Sequence, residues 1–306
     1  MSALDNRTSV DRALPRQAVL IVNAMSRRGA DAFDEVREKL VAAGIDLIEA
    51  HAIADPGEME PAIRDAIAKA PMVIVGGGDG SLSSNVDFFV GQDTLFAFVP
   101  LGTANSFAGT LGIPKDIDGA IDVIANGMRK WVDLGQIDDD YFVNAAAIGL
   151  SPMIAQTVPH KLKRYMGVVG YLIWGAWCAI RFRPFEAIIR DEDDRTHRLW
   201  ATEVRIANGT HHGGFELIEN QTVDSGEIVI QVVTSRRIWG LGWSWLATVL
   251  KLRSRHGTIR EFRGTRMELD TRPHLDISID GEVAAKTPVT VKVARHVIEV
   301  AAPIER

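Results

Sequence analysis

Residues 72–81 read MVIVGGGDGS. The apolar run predicts a buried strand, and the glycines that follow end it with unshielded backbone. In a parallel sheet, ligands bind beyond the carboxyl ends of the strands, where glycine is needed if backbone is to approach a phosphate closely. Gly77, Gly78 and Gly80 let successive N–H groups converge on an anion, and a helix predicted from about Ser81 to Phe89 adds the positive end of its dipole. Asp79 is the odd member, because a carboxylate beside phosphate is repulsive unless a cation such as Mg²⁺ or a hydroxyl donor mediates. A nucleotide with magnesium satisfies both demands. The run also suits a turn made for geometry alone, and it matches neither G-x-x-x-x-G-K-[ST] nor G-x-G-x-x-G.

Around this stretch, from residue 17 to about 127, short apolar runs alternate with helical patterns. Strands are predicted at 18–25, 45–53, 72–75 and 95–99, and helices at 32–43, 58–69, 81–89, 104–112 and 116–126. Such alternation predicts an α/β domain, a Rossmann-like parallel sheet with helices on both faces. Two further polar loops then fall on the same sheet edge. NAMSRRG (23–29) follows the first strand and PLGTANSFA (100–108) follows the fourth. Gly102 permits a turn, and Thr103 and Asn105 can bond phosphate or ribose oxygens, although Thr103 equally suits a helix cap.

Beyond Trp131 the pattern changes to strand-like runs such as FVNAAAIG, LWATEVRIA and GEIVIQVV separated by turn residues. These predict a C-terminal antiparallel β-sandwich or barrel with helical insertions at about 155–181 and 237–253. The expected organisation is a loose tail over 1–16, an α/β domain over 17–130 and a β domain over 131–306. Whether the last strand returns to the first domain stays open.

Composition narrows the function. The chain has 306 residues, 46% hydrophobic and 24% charged, with net charge −6. That balance argues against a nucleic-acid binder working by broad phosphate neutralisation. The single cysteine, Cys178, excludes an intrachain disulfide and suits a reducing cytoplasm. The longest near-apolar stretch, 166–180, falls short of the roughly 20 residues that cross a bilayer.

Charge is unevenly placed. Residues 161–183 and 236–255 each hold five Lys or Arg and no acid, and together they hold five of the seven tryptophans. Such basic, tryptophan-bearing segments favour an anionic lipid surface, predicting a cytoplasmic protein that docks transiently on the inner face of the membrane. Burial against the sandwich, the commoner fate of such a stripe, and a homodimer contact are its other uses, so the expectation is partial burial with exposed basic ends.

GGGDGS (76–81) resembles the GGDGT nucleotide loop of the soluble lipid kinases, which include bacterial diacylglycerol kinases and the related sphingosine and ceramide kinases. PLGTANSFA resembles that family's P-x-G-T-x-N-D-F-A. FVNAAAIG (142–149), LKRYMGVVGYL (162–172), IANGTHHGG (206–214) and IDGE (279–282) resemble its later motifs. The resemblance implies an NAD-kinase-like α/β domain followed by a β-sandwich, with ATP and Mg²⁺ as cofactors and a membrane lipid as substrate. It implies that Gly77, Gly78, Asp79, Gly80 and Ser81 hold nucleotide phosphates with Thr103, Asn105, Asn23 and Ser26. It also implies that Asp280 or Glu282 acts as base toward the lipid hydroxyl, with Asp79 competing for that role.

The sequence departs from the family at Ser106, where a carboxylate is lost. The turn for a structural metal reads Asp224-Ser225-Gly226, so that Mg²⁺ would draw on Asp224 and on carbonyls near Thr222 and Glu227. NAD kinase and phosphofructokinase, which use GGDG-like loops, and a non-catalytic lipid or nucleotide sensor are the competing readings. The tryptophan-rich insertions and the retained Asp79, Asp280 and Glu282 favour the lipid kinase.

Overall fold

The computed structural model describes residues 13–159, 170, 173–208, 211–212, 215–216, 224–234, 259–280 and 282–304. The chain divides into two compact units. The first is Met1–Leu134, Gly209–Gly226 and Ala294–Arg306, and the second is Gly135–Asn208 and Glu227–Val293. The expected division at 130/131 thus falls inside a strand, Met128–Ile137, along which the chain leaves the first unit. Residues 209–226 and 294–306 belong with the first unit rather than with the β domain, because the chain returns there twice.

In chain order the first unit holds β1 (Gln17–Asn23), α1 (Gly29–Ala42), β2 (Asp46–Ile53), α2 (Met59–Lys69), β3 (Met72–Gly77), α3 (Asp79–Ser83), β4 (Leu95–Pro100), α4 (Ser106–Leu111), α5 (Ile117–Asn126) and the start of β5 (Met128–Ile137). Strand order is β2-β1-β3-β4, all parallel. Every residue of β3 and β4 is buried, as continuous apolar strands covered on both faces require. On one face Val36 and Leu40 of α1 and Ile117, Ile121 and Ile124 of α5 pack with Leu20, Val22, Ile74 and Val99. Phe96 and Phe98 of β4 instead meet Phe107 of α4, each at 6.4 Å between ring centroids.

The helix expected over 81–89 is shorter and begins earlier. α3 ends at Ser83, and a 3₁₀ turn over Val86–Phe89 follows. Side chains take over from the backbone ladder at this point. Ser84 Oγ donates to the Gly80 carbonyl and Asn85 Nδ2 to the Ser81 carbonyl, bonds that compete with helix continuation.

The rest of the chain forms β6 (Asp140–Phe142), β7 (Ala145–Gly149), α6 (Leu150–Thr157), a helical stretch over 173–181, β8 (Phe185–Arg190), β9 (Thr196–Ala201) and β10 (Glu203–Ala207). After them come the short pair β11 (His211–His212) and β12 (Phe215–Glu216), then β13 (Ile228–Val233), β14 (Ile259–Gly264), β15 (Arg266–Arg272), β16 (Asp276–Ile279), β17 (Glu282–Lys286) and β18 (Val289–Ala302). The insertion expected at 237–253 lies outside the described residues.

The second unit is an antiparallel sandwich. One sheet runs β14-β13-β10-β7-β16-β17, and facing it the order is β18-β15-β8-β9. Phe185, Ala187 and Ile189 of β8 and Met267 and Leu269 of β15 meet Ile148, Val204, Ile206, Ile230 and Ile277 in one core. In β8 burial alternates, Ala187 and Ile189 inward and Glu186 and Ile188 partly exposed, as the period of two demands. The last residues of β18 pair in parallel with β4, Val300 opposite Phe96, so the final strand also extends the sheet of the first unit.

Denaturant unfolding of two single variants tests the sandwich register. Ile189→Ala, at a fully buried position, should cost about 2–5 kcal/mol. Ile188→Ala, on the other face of the same strand, should cost under about half as much.

Candidate active site

Three loops meet at the carboxyl edge of the parallel sheet. Asn23, closing β1, donates from Nδ2 to Ser81 Oγ of α3 at 2.7 Å, and its Oδ1 accepts from the Met25 amide at 2.9 Å. The Leu101 amide donates to the Gly77 carbonyl at 2.7 Å, and the Arg28 amide donates to the Leu101 carbonyl at 3.3 Å. The first, third and fourth strands therefore deliver their following turns into one hydrogen-bonded cluster.

Glycine permits this approach where the backbones pass closest. A Cβ placed on Gly102 would lie 2.5 Å from the Gly78 Cα, and one on Gly78 would lie 3.1 Å from the Gly102 Cα. Real Cβ atoms do not come within the first of these distances of another backbone, so Gly102 is dictated by packing. Gly77 is similar, since its Cβ would sit 2.7 Å from Ser81 Cβ and Oγ. Gly80 is different. It is exposed, and a Cβ there meets no described atom within 4 Å. An exposed glycine inside a helical turn costs about 0.5–1 kcal/mol relative to alanine, and no described neighbour requires it.

Asp79 answers why a carboxylate stands among the glycines. Its Oδ1 accepts from the Ser106 amide at 2.6 Å and the Phe107 amide at 3.4 Å, the first two amides of α4. The residue that would ordinarily cap this helix is Asn105, held in the left-handed conformation at φ 48° with no capping bond of its own. Asn105 instead closes its own turn, Oδ1 accepting from the Gly102 amide at 3.0 Å and Nδ2 donating to the Gly102 carbonyl at 3.2 Å. Asp79 thus caps, from the neighbouring loop, a helix whose own cap position is otherwise engaged.

Of the expected nucleotide residues, Asn23, Ser26, Gly77, Gly78, Asp79, Gly80, Ser81, Thr103 and Asn105 all lie on these three loops. Asn23 and Asp79 spend bonds on holding the loops together, and Asn105 spends its own within the turn it closes. Thr103 is exposed at the tip of its loop. Ser26 Oγ is buried and has no hydrogen-bond partner among the described residues, an arrangement that costs about 1–3 kcal/mol unless a ligand or solvent atom completes it. An open glycine and an orphaned hydroxyl on two of the three joined loops fit a phosphate-bearing guest. The dipole contribution is smaller than the sequence implies, because α3 has only five residues.

In the second unit Asp280 sits just past β16 in the left-handed conformation, φ 46°. Its Oδ2 accepts from the Val143 amide at 3.1 Å, and its Oδ1 from the Asn144 and Ala145 amides at 3.3 and 3.1 Å. Its own amide donates to the Ala145 carbonyl at 3.0 Å. The carboxylate clamps the turn after β16 to the entry of β7. Glu282 opens β17, and its side chain lies outside the described residues. Two polar residues given no role from sequence gather beside the clamp. Asn144 is buried, its Oδ1 without a partner among the described residues, and Asn208 donates its amide to the Asn144 carbonyl at 3.1 Å. The signal that could have found them is a lone amide inside each of two apolar runs, FVNAAAIG and VRIANG.

The proposed structural-metal turn is braced by protein cations. Lys130 Nζ lies 3.3 Å from Asp224 Oδ2, and Arg295 donates from Nε and Nη2 to the Gly226 carbonyl at 3.2 and 2.9 Å. Behind them the buried Asp133 accepts from the Gly226 amide and the His296 amide, both at 2.8 Å. Thr222 lies outside the described residues, and Glu227 belongs to the second unit. Among the described residues no three His, Cys, Asp or Glu side chains gather as metal ligands. An ammonium and a guanidinium against these oxygens oppose a divalent ion, so the described part of the turn does not fit a structural Mg²⁺.

Comparison with known proteins matches this architecture. Residues 17–137 match the family described as the diacylglycerol kinase catalytic domain. The chain is 27% identical over 235 residues to a diacylglycerol kinase of Staphylococcus epidermidis, covering 76% of this chain and 74% of that one. It is 28% identical over 284 residues to the diacylglycerol kinase of Bacillus subtilis, covering 89% and 91%. Among solved structures, a diacylglycerol kinase from Bacillus anthracis superposes with TM-score 0.74 at 21% identity over 94% of this chain and 97% of that one.

Two predictions separate packing from ligand contact. Gly80→Ala should leave the melting temperature unchanged or raised while weakening ATP affinity, read by calorimetric titration, whereas Gly102→Ala should lower both. A chelator should leave the melting temperature unchanged, whereas Asp133→Ala, which orphans two amides, should destabilise the fold by about 1–3 kcal/mol or more.

Proposed function

We propose, from the match of residues 17–137 to the diacylglycerol kinase catalytic domain, that this chain is an ATP- and Mg²⁺-dependent lipid kinase phosphorylating a hydroxyl of a membrane lipid. Diacylglycerol, a sphingoid base and ceramide are the candidate acceptors. The observations that carry the nucleotide part of this reading are the exposed Gly80, which no described neighbour requires, and Ser26 Oγ, buried with no partner among the described residues.

Phosphoryl transfer asks a protein mainly to position the two oxygens, neutralise charge on the moving group and accept one proton. Ser26, Gly80, Ser81 and Thr103 are the residues that would hold the nucleotide phosphates, and Mg²⁺ bound with the nucleotide would supply charge neutralisation. Asn23 and Asp79 already bond the loops to one another before ligand arrives, and Asn105 closes its own turn. Positioning then costs little at the moment of binding.

The proton of the acceptor hydroxyl goes to a carboxylate, and Asp280, Glu282 and Asp79 are the candidates. Asp280 also clamps backbone in its own unit, and Asp79 caps α4 in its own, so substitution of either has a structural component. That engagement also favours a second reading, in which the chain binds nucleotide and lipid without transfer.

Incubation with labelled ATP, Mg²⁺ and a panel of diacylglycerol, sphingoid base, ceramide and monoacylglycerol in mixed micelles tests the proposal. Label should appear in one lipid class. ATP binding without any labelled lipid would leave the non-catalytic reading. With Asp280 as base, Asp280→Asn should abolish transfer yet spare ATP affinity, and Asp79→Asn should impair both. Transfer surviving in Asp280→Asn moves the role to Glu282 or Asp79, which Glu282→Gln then separates.

A further inference from the structure

The helical stretch over 173–181 in the second unit presents large apolar side chains outward. Ile173, Trp177 and Ile180 are 53%, 46% and 73% exposed. Their spacing of four and three residues puts them on one helical face, while the buried Cys178 faces the body of the unit. Exposed apolar residues scattered singly need no explanation, but three on one face mark an interaction surface.

Trp177 is held in place without being buried. Its ring stacks on Trp174 with centroids 4.6 Å apart, and the Arg181 guanidinium lies 3.9 Å from its centroid. Trp174 is fixed in turn by its indole N–H, which donates to Thr157 Oγ1 at 3.0 Å. The indole is therefore presented in one orientation, and little side-chain entropy remains to be lost on contact.

Charge selects the occupant. Arg181 and Arg183 are both exposed, and residues 173–183 contain no acid. An apolar stripe with an ordered tryptophan and flanking arginines matches the boundary between acyl chains and phosphate headgroups, the aromatic at headgroup depth and the cations on the phosphates. No helix among the described residues is long and apolar enough to cross a membrane.

We propose that the face formed by Ile173, Trp177 and Ile180, with Arg181 and Arg183 at its C-terminal end, docks this protein on an anionic phospholipid bilayer. The proposal deepens the lipid-kinase reading, since a bilayer is where such an acceptor resides, but it stands on geometry of its own.

Co-sedimentation of the full chain with vesicles of phosphatidylcholine alone, or of phosphatidylcholine mixed with phosphatidylglycerol, tests it. The protein should sediment with the anionic vesicles, less so as salt rises, and much less with neutral ones. Ile180→Glu and Arg181→Glu, both at exposed positions, should each lower partition onto anionic vesicles about tenfold. Their circular dichroism should match the parent. Equal partition of parent and variants, or no preference for anionic vesicles, overturns the proposal. Vesicle binding unaffected by Ile180→Glu while that change converts a dimer to a monomer also overturns it, assigning the face to a second copy.

Labelling of a short-chain, water-soluble diacylglycerol without vesicles distinguishes the two readings. Variants that lose vesicle binding but still label it support docking, and a parent that binds vesicles through this face but labels no lipid supports docking while removing the kinase. A parent that labels the soluble lipid but never binds anionic vesicles removes docking alone.

Discussion

The close passage of the Gly78 and Gly102 backbones is the constraint on which the candidate site depends. A side chain at Gly102 would collide with the neighbouring loop at 2.5 Å, so the turns after β3 and β4 can touch only because both are bare. Once they touch, the Leu101 amide reaches the Gly77 carbonyl and Asp79 reaches the first amides of α4. Everything assigned to phosphate follows from that contact, since it sets where Gly80, Ser81 and Thr103 stand.

Carboxylates serve the same purpose at three places. Asp79 joins loops 27 residues apart, Asp133 holds the amides of Gly226 and His296, and Asp280 gathers three amides some 135–137 residues away. A carboxylate offers acceptor sites to several N–H groups at once, and a charged acceptor strengthens each bond. Turns too irregular for a sheet ladder are braced this way.

Much of this architecture was legible in the sequence. The fully buried β3 and β4 show as uninterrupted apolar runs, and the alternation in β8 shows as FEAIIR. The three loops could be placed on one edge because parallel strands all end there. The partners within the cluster were less legible, since nothing local to Asp79 says that its acceptor serves Ser106 and Phe107. The end of α3 was misplaced because Ser84 and Asn85 bond backward to carbonyls, a choice that apolar periodicity does not record. The units cross the expected boundary for a similar reason. Whether the last strand returns to the first domain is not written in its own residues, and only the pairing of Val300 with Phe96 reveals which sheet it extends.

Backbone amide NMR during titration with ATP and Mg²⁺ addresses the central claim most directly. Resonances of Ser26, Gly77, Gly78, Gly80, Ser81 and Thr103 should shift together with one saturation curve, while those of β8 and β15 stay in place. Saturable binding that leaves the three loops unperturbed, or shifts from one loop alone, would contradict the assignment of this cluster as the nucleotide site.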